Sequence, residues 1–251
     1  MVSEYYQVRG TSLVTPGIQS LLSTGMIRSF SVGPIGENVH IIEGDGLPVV
    51  VVDPGAEPER LTRETIAAVD GTSAPSVYIA MTHGHLDHVA ALPGLLAGLH
   101  AVLDTRHIAV RTFAPQEDEF YYGDKSSETN IRIFTSIHGM SFYHKYWLPI
   151  PMADVYFIDG FILPGTGIVA LHTPGHTRGS SCFLAESGTV LIAGDTLFKD
   201  GRGRTDNFDA DEDTIIKSIR ERLCVLPDDV RVLPGHGAPT TIGQEKRYYL
   251  N

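Results

Sequence analysis

From Glu37 onward the chain alternates short apolar runs with stretches whose apolar residues recur every three or four positions. "ENVHIIEGDGLPVVVVDPG" (37–55) predicts two strands joined at Gly44-Asp45-Gly46, because its flanks are β-branched and its turn residues tolerate positive φ. "RLTRETIAAVD" (60–70) has helical spacing, and "PSVYIAM" (75–81) reads as a buried strand. "VAALPGLLAGL" (89–99) predicts a helix in which Pro93 opens a new turn, followed by a short strand over "HAVLD" (100–104). Beyond a long middle region, strands are predicted at "FILPG" (161–165), "GIVALHT" (167–173), "SSCFLAES" (180–187), "TVLIAGD" (189–195) and "VRVLPGH" (230–236), with a helix over 211–226. This mixed order, with strands joined by both hairpins and crossovers, predicts an α/β protein of two packed sheets with helices outside. No repeat, low-complexity tract or Pro/Ser/Gly linker divides it, so residues 1–251 read as a single domain.

Composition narrows the function classes. Thirty acidic against nineteen basic residues give a formal charge of -11, which argues against a nucleic-acid surface held by phosphate neutralisation. Only Cys182 and Cys224 occur, "MVSEYYQVRG" lacks an apolar signal core, and no run of about 18 apolar residues is read as a bilayer span. The expectation is a reduced, cytoplasmic protein with a small-molecule substrate and neither nucleic acid nor membrane as partner.

The ends of the predicted strands carry the chemistry. Asp53 precedes Pro54-Gly55, His176 follows Pro174-Gly175, His236 follows Pro234-Gly235, "IAGD" ends at Asp195, and "THGHLDH" packs His83, His85, Asp87 and His88 behind a buried strand. Pro-Gly turns stop a strand sharply and let backbone come close to a bound species, so one site along the sheet edge is expected. A lone histidine after a strand is more often hydrogen-bonded or on the surface, and His40, His100, His107, His138 and His144 are read that way. Four ligand-type residues in six positions are different, since burying them unpaired costs too much desolvation. A metal offsets that cost. With His176, Asp195 and His236 the set is five histidines and two aspartates, which suits zinc and tolerates iron or manganese.

"THGHLDH" (82–88), "HTPGHT" (172–177), "GDTLF" (194–198) and "PGHG" (234–237) resemble the metal motifs of the metallo-β-lactamase superfamily, in the family's order over roughly residues 31 to 245. The resemblance implies an αβ/βα four-layer sandwich with a binuclear site at the sheet edge. By that analogy His83, His85 and His176 hold one divalent ion, Asp87, His88 and His236 the other, and Asp195 bridges them. Two such ions, zinc first, activate a shared water and polarise a substrate carbonyl. Asp87 is then also the catalytic candidate, orienting the water, and Asp53 orients a ligand histidine. His172, separated from His176 by Pro174-Gly175, is read as structural.

"GDTLFKDGRGRTD" (194–206) resembles the small glyoxalase-II-type thioester hydrolases, and Arg204 falls nine residues after Asp195, where those enzymes place a basic residue for the glutathione carboxylate. Lys199, Arg202 and Arg204 read equally well as solvated loop charges. Ala238, where the glutathione enzymes tend to carry a tyrosine, and the absence of their C-terminal helical domain leave the thiol carrier open. The 88 positions from His88 to His176 exceed the spacing of the short members, and an aromatic-rich insertion is placed at about 105–157, as a lid or a homodimer interface. A lactonase of this fold places a tyrosine three residues after the bridging aspartate; Phe198 stands there and is the second candidate substrate contact. Persulfide dioxygenases share a "GRTD"-like segment but use one iron and leave the last histidine unengaged. RNA-processing nucleases share the first motif but are opposed by the acidic balance, and a non-catalytic binding module is expected to have lost ligands, whereas all seven are present.

Overall fold

In the computed structural model, which describes residues 25–250, six strands lie side by side in chain order: β1 (Met26–Val32), β2 (Glu37–Glu43), β3 (Val49–Val52), β4 (Ser76–Ala80), β5 (Ala109–Pro115) and β6 (Val155–Phe157). The N-terminal stretch read for a signal core, and the outer ends of the single domain, lie outside the described residues. β1 to β3 pair antiparallel through short turns. From β3 to β6 the strands are parallel, so each step needs a crossover: α1 (Pro58–Thr72), then α2 (Leu86–Val89) with α3 (Leu92–Leu103), then α4 (Ser126–Ser136) and α5 (Met140–Tyr146). The second sheet contains β7 (Val169–His172), β8 (Ser181–Ala185), β9 (Val190–Gly194), β10 (Arg231–Pro234) and β11 (Thr240–Thr241), in spatial order β11-β10-β9-β8-β7. Two helices accompany it, α6 (Glu212–Ser218) and α7 (Ile242–Glu245).

The central strands of both sheets are buried on both faces, and the period of two along each strand separates the layers. Val49 and Val51 of β3 enter an outer core with Leu61, Leu92 and Leu95, while Val50 and Val52 point the other way, onto Phe113, Phe183, Ile192 and Leu233. In β9, Val190 and Ile192 join that middle core, and Leu191 and Ala193 pack with Ile215, Ile219 and Leu223 on the far side. The result is the four-layer αβ/βα sandwich. Truncating a fully buried leucine such as Leu95 to alanine costs about 2–5 kcal/mol in such a core.

Several expectations are corrected. "HAVLD" is not a strand: Leu92, Leu95, Leu99 and Leu103 form one buried stripe, and that helical period overrides the local composition until a turn at Asp104–Arg106 ends it. "FILPG" supplies only an isolated bridge from Ile162 to Val169, since Pro164 and the left-handed Gly165 end the pairing. The stretch Leu86–Arg106, with mean hydropathy 1.4, is after all long and apolar enough by length and composition to cross a membrane; half of that window is buried within the fold. The 105–157 interval is divided: β5 and β6 are strands of the first sheet, and the inserted cover is residues 116–154.

Candidate metal centre

The strand ends converge as the Pro-Gly turns require. β3 runs into Asp53, β4 into the His83–His88 loop and α2, β9 into Asp195, and β10 into His236. Backbone approaches here are closer than any side chain allows. A Cβ on Gly55 lies 1.8 Å from the Asp87 carbonyl oxygen, and one on Gly235 lies 2.3 Å from Asp195 Oδ1. Asp53 itself adopts a left-handed φ of 55°, a conformation aspartate tolerates better than most residues.

Hydrogen bonds on the outer side of the rings decide which nitrogens face inward. Thr82 donates its backbone N–H to Asp53 Oδ1 and its hydroxyl to Asp53 Oδ2, both at 2.7 Å. Its oxygen therefore accepts Nδ1–H of His83 at 3.0 Å, which leaves Nε2 of that ring bare. His88 Nδ1–H donates to Asp53 Oδ2 at 3.1 Å, and His176 Nδ1–H to the carbonyl oxygen of Arg204 at 2.7 Å. In all three rings Nδ1 and its proton are thus committed outward, and Nε2 faces inward, open to a cation. His85 differs, presenting Nδ1 to His176 Nε2 at 2.8 Å and Nε2 to the Asn207 side chain.

The inward atoms form two groups. Ligand atoms of His83, His85 and His176 lie within 4.8 Å of one another, as do those of Asp87, His88 and His236. Asp195 faces both: Oδ1 is 3.3 Å from His88 Nε2, and Oδ2 is 3.5 Å from His176 Nε2 and 3.8 Å from His236 Nε2. Asp53 also lies within 4.8 Å of ligand atoms of His83 and His88, but both of its oxygens already accept hydrogen bonds from Thr82 and His88. It contacts His88 directly and His83 through the Thr82 hydroxyl.

Electrostatics favour a cation here. Burial pushes His85 down to about 3 and His83 well below its ordinary value, so both rings are neutral donors. Burial alone raises Asp87, yet His88 and His236 hold its carboxyl well below the usual range. Burial alone likewise lowers His88, but the carboxylates of Asp195 and Asp87 raise it well above 6.5. Among the described residues, His83 Nε2, His88 Nε2 and Asp195 Oδ1 are buried without a well-formed hydrogen bond, which costs about 1–3 kcal/mol each unless a cation engages them. Imidazole and carboxylate donors so arranged fit a divalent metal centre.

Residues that sequence reasoning missed complete the walls. Asn38 donates to the carbonyls of Pro234 and Gly237 and pins the turn that carries His236. Glu37, 1% exposed, sets its carboxyl 3.8 Å from His88 Nδ1. Asp118, fully buried, accepts from Gly84 N–H (2.9 Å), the Thr177 hydroxyl (2.8 Å) and Gly179 N–H (2.7 Å), clipping together the loops of His83–His85 and His176. Burial pushes its carboxyl up to about 7 against the pull of those donors. Tyr121 lies edge-on to His85 at 5.5 Å, against Gly84, and donates its hydroxyl to Asp209. The turn Gln116–Tyr121 of the insertion is therefore a wall of the site. An acidic run such as "QEDEF" ordinarily marks a solvated face, so nothing local singled out Asp118.

The two candidate substrate residues sit at the mouth. The Phe198 ring is edge-on to His236, with centroids 6.2 Å apart. Arg204 is exposed and forks onto both oxygens of Asp206 at 2.6 Å, while its carbonyl holds His176. His172 donates to the Arg178 carbonyl, a bracing contact within its loop.

Residues 32–236 match the metallo-beta-lactamase superfamily. The chain belongs to that superfamily. It is 34% identical over 211 residues to hydroxyacylglutathione hydrolase GloC of Haemophilus influenzae, covering 84% of this chain and 90% of that protein. Among solved structures it is similar to BLEG-1 B3 metallo-beta-lactamase (TM-score 0.71, 26% identity, 89% of this chain and 98% of that one). It is also similar to TTHA1623 in a di-iron-bound form (TM-score 0.67, 30% identity, 88% and 97%). Family membership and the buried His/Asp cluster make the chain a metal-dependent hydrolase with a divalent metal centre.

Proposed function

We propose that the chain hydrolyses a thioester at a binuclear site in which His83, His85 and His176 hold one ion, Asp87, His88 and His236 the other, and Asp195 both. The observation that carries the binuclear part is the position of Asp195, whose two oxygens face nitrogens of both triads. Zinc suits the donor set best, with iron or manganese also accommodated. When bound, such ions bring the pKa of water toward neutrality and polarise a carbonyl oxygen. Asp87 is half-buried at the mouth and held ionised by His88 and His236, so it orients the attacking water by accepting its hydrogen bond. Asp53 and the Arg204 carbonyl keep His88 and His176 in their tautomers throughout.

The thioester assignment is supported by the GloC relative and by Arg204, a guanidinium at the mouth that can meet an anionic thiol carrier. Phe198 supplies an apolar edge beside His236. A single-iron dioxygenase leaves the second triad, and His236 in particular, without purpose.

The test is metal analysis of the purified protein followed by a panel of thioesters, lactones and phosphodiesters assayed with and without oxygen. Close to two ions per chain and oxygen-independent thioester cleavage, both lost in Asp195→Ala, are expected. Full metal content and activity in that variant sink the binuclear assignment, and activity confined to another substrate class sinks the thioester.

A further inference from the structure

Asn207 is 9% exposed, and among the described residues its side-chain Oδ1 has no hydrogen-bond partner, while Nδ2 lies 3.3 Å from His85 Nε2. A half-turn about the last side-chain bond exchanges these two atoms, and the surrounding hydrogen bonds decide which orientation is right. His176 commits its proton to the Arg204 carbonyl and so turns a bare Nε2 toward His85 Nδ1, 2.8 Å away. For His83, His85 and His176 to act together as neutral donors, His85 Nδ1 must be bare as well. Its one proton then sits on Nε2 and requires an acceptor. With the amide turned, Oδ1 of Asn207 meets that proton, and Nδ2 takes the position Oδ1 held.

We propose that Asn207 is a positioning residue that accepts Nε2–H of His85 through its side-chain oxygen and thereby commits that ring to Nδ1 as the inward donor. The inference rests on the metal-centre reading above. The loop that carries Asn207 is anchored for the task. Ala210 N–H donates to the Asn207 carbonyl at 3.2 Å, the Tyr121 hydroxyl donates to Asp209 at 2.9 Å, and the Arg132 guanidinium lies 3.9 Å over the Phe208 ring. Tyr121 and Arg132 both belong to the insertion, so the inserted segment holds in place the residue that orients His85.

Two substitutions in the full chain separate the possibilities, with zinc as the probe and chelator competition as the readout. Asn207→Leu removes the acceptor at similar size, and zinc affinity is expected to fall about 10- to 100-fold. Asn207→Asp can accept but cannot donate, and is expected to bind within about threefold of the wild type or more tightly. In the zinc-loaded protein, NMR should show a slowly exchanging His85 Nε2 proton in the wild type and Asn207→Asp, lost in Asn207→Leu. An aspartate variant as weak as the leucine one, or a leucine variant with unchanged affinity, overturns the proposal. If the leucine variant fails to fold, lack of the protected Nε2 proton in the loaded wild type overturns it alone. A wild-type chain that binds no zinc brings down the metal-centre reading itself, a result distinct from any difference among the variants.

Discussion

The carboxyl of Asp118 accepts the backbone N–H of Gly84 at 2.9 Å, joining residues 34 positions apart at the point where the insertion meets the first metal motif. Two further donors, from Thr177 and Gly179, converge on the same group. Asp118→Ala strands three buried donors, and a loss of about 2–4 kcal/mol is expected in urea denaturation. An unchanged midpoint and slope will mean that the insertion does not brace the site.

Asp53→Asn puts an amide where one oxygen now receives both the Thr82 hydroxyl and His88 Nδ1–H. His88 loses the acceptor that sets its tautomer, so metal affinity should drop about 10- to 100-fold by chelator competition. Wild-type affinity in this variant will show that packing alone orients His88.

Arg204 has two separable contributions. Its carbonyl belongs to the backbone and survives substitution, so Arg204→Ala should leave kcat and metal content intact. Its guanidinium is exposed and shared with Asp206, and its loss should raise KM for anionic thioesters by about three- to tenfold, leaving neutral ones unaffected. A fall in kcat on both substrate types will assign the side chain a structural role.

His40 is buried against Ser29, and burial pushes its ring down to about 4. The unfolded chain takes up a proton near the ordinary value of 6.5 that the folded ring refuses, so this group's contribution to stability is present above 6.5 and is lost as pH falls toward 4. In chelator-treated protein, His40→Leu should flatten that limb of the stability profile by about 2–3 kcal/mol relative to wild type, by denaturant titration across pH 4–7. Parallel profiles for the two proteins will refute it.

The strands and ligands that were legible in the sequence are those whose chemistry is local. Val49–Val52, bounded by Gly46 and Pro54, has one reading as a buried strand, and "HGHLDH" is too costly to bury without an ion. Asp118, Asn207 and Glu37 were not legible, because each acts on a partner that only tertiary approach brings near. β5 was missed because "AVRTFAP" mixes exposed and buried positions on a strand covered by the insertion. "HAVLD" reads as a strand only in isolation, since its helical period shows only together with the leucines one and two turns earlier.

Each sheet is assembled from one unbroken length of chain, residues 26–157 for the first and 169–241 for the second, and each triad takes two donors from the first length and one from the second. An ion bound there fastens the two halves of the molecule across their seam. Binding that requires both halves closed adds about 2.7 kcal/mol of stability at a hundredfold excess over Kd, all of it to the join. Metal scarcity is then felt first as mechanics, as a weaker hold at the seam over the core the two sheets share.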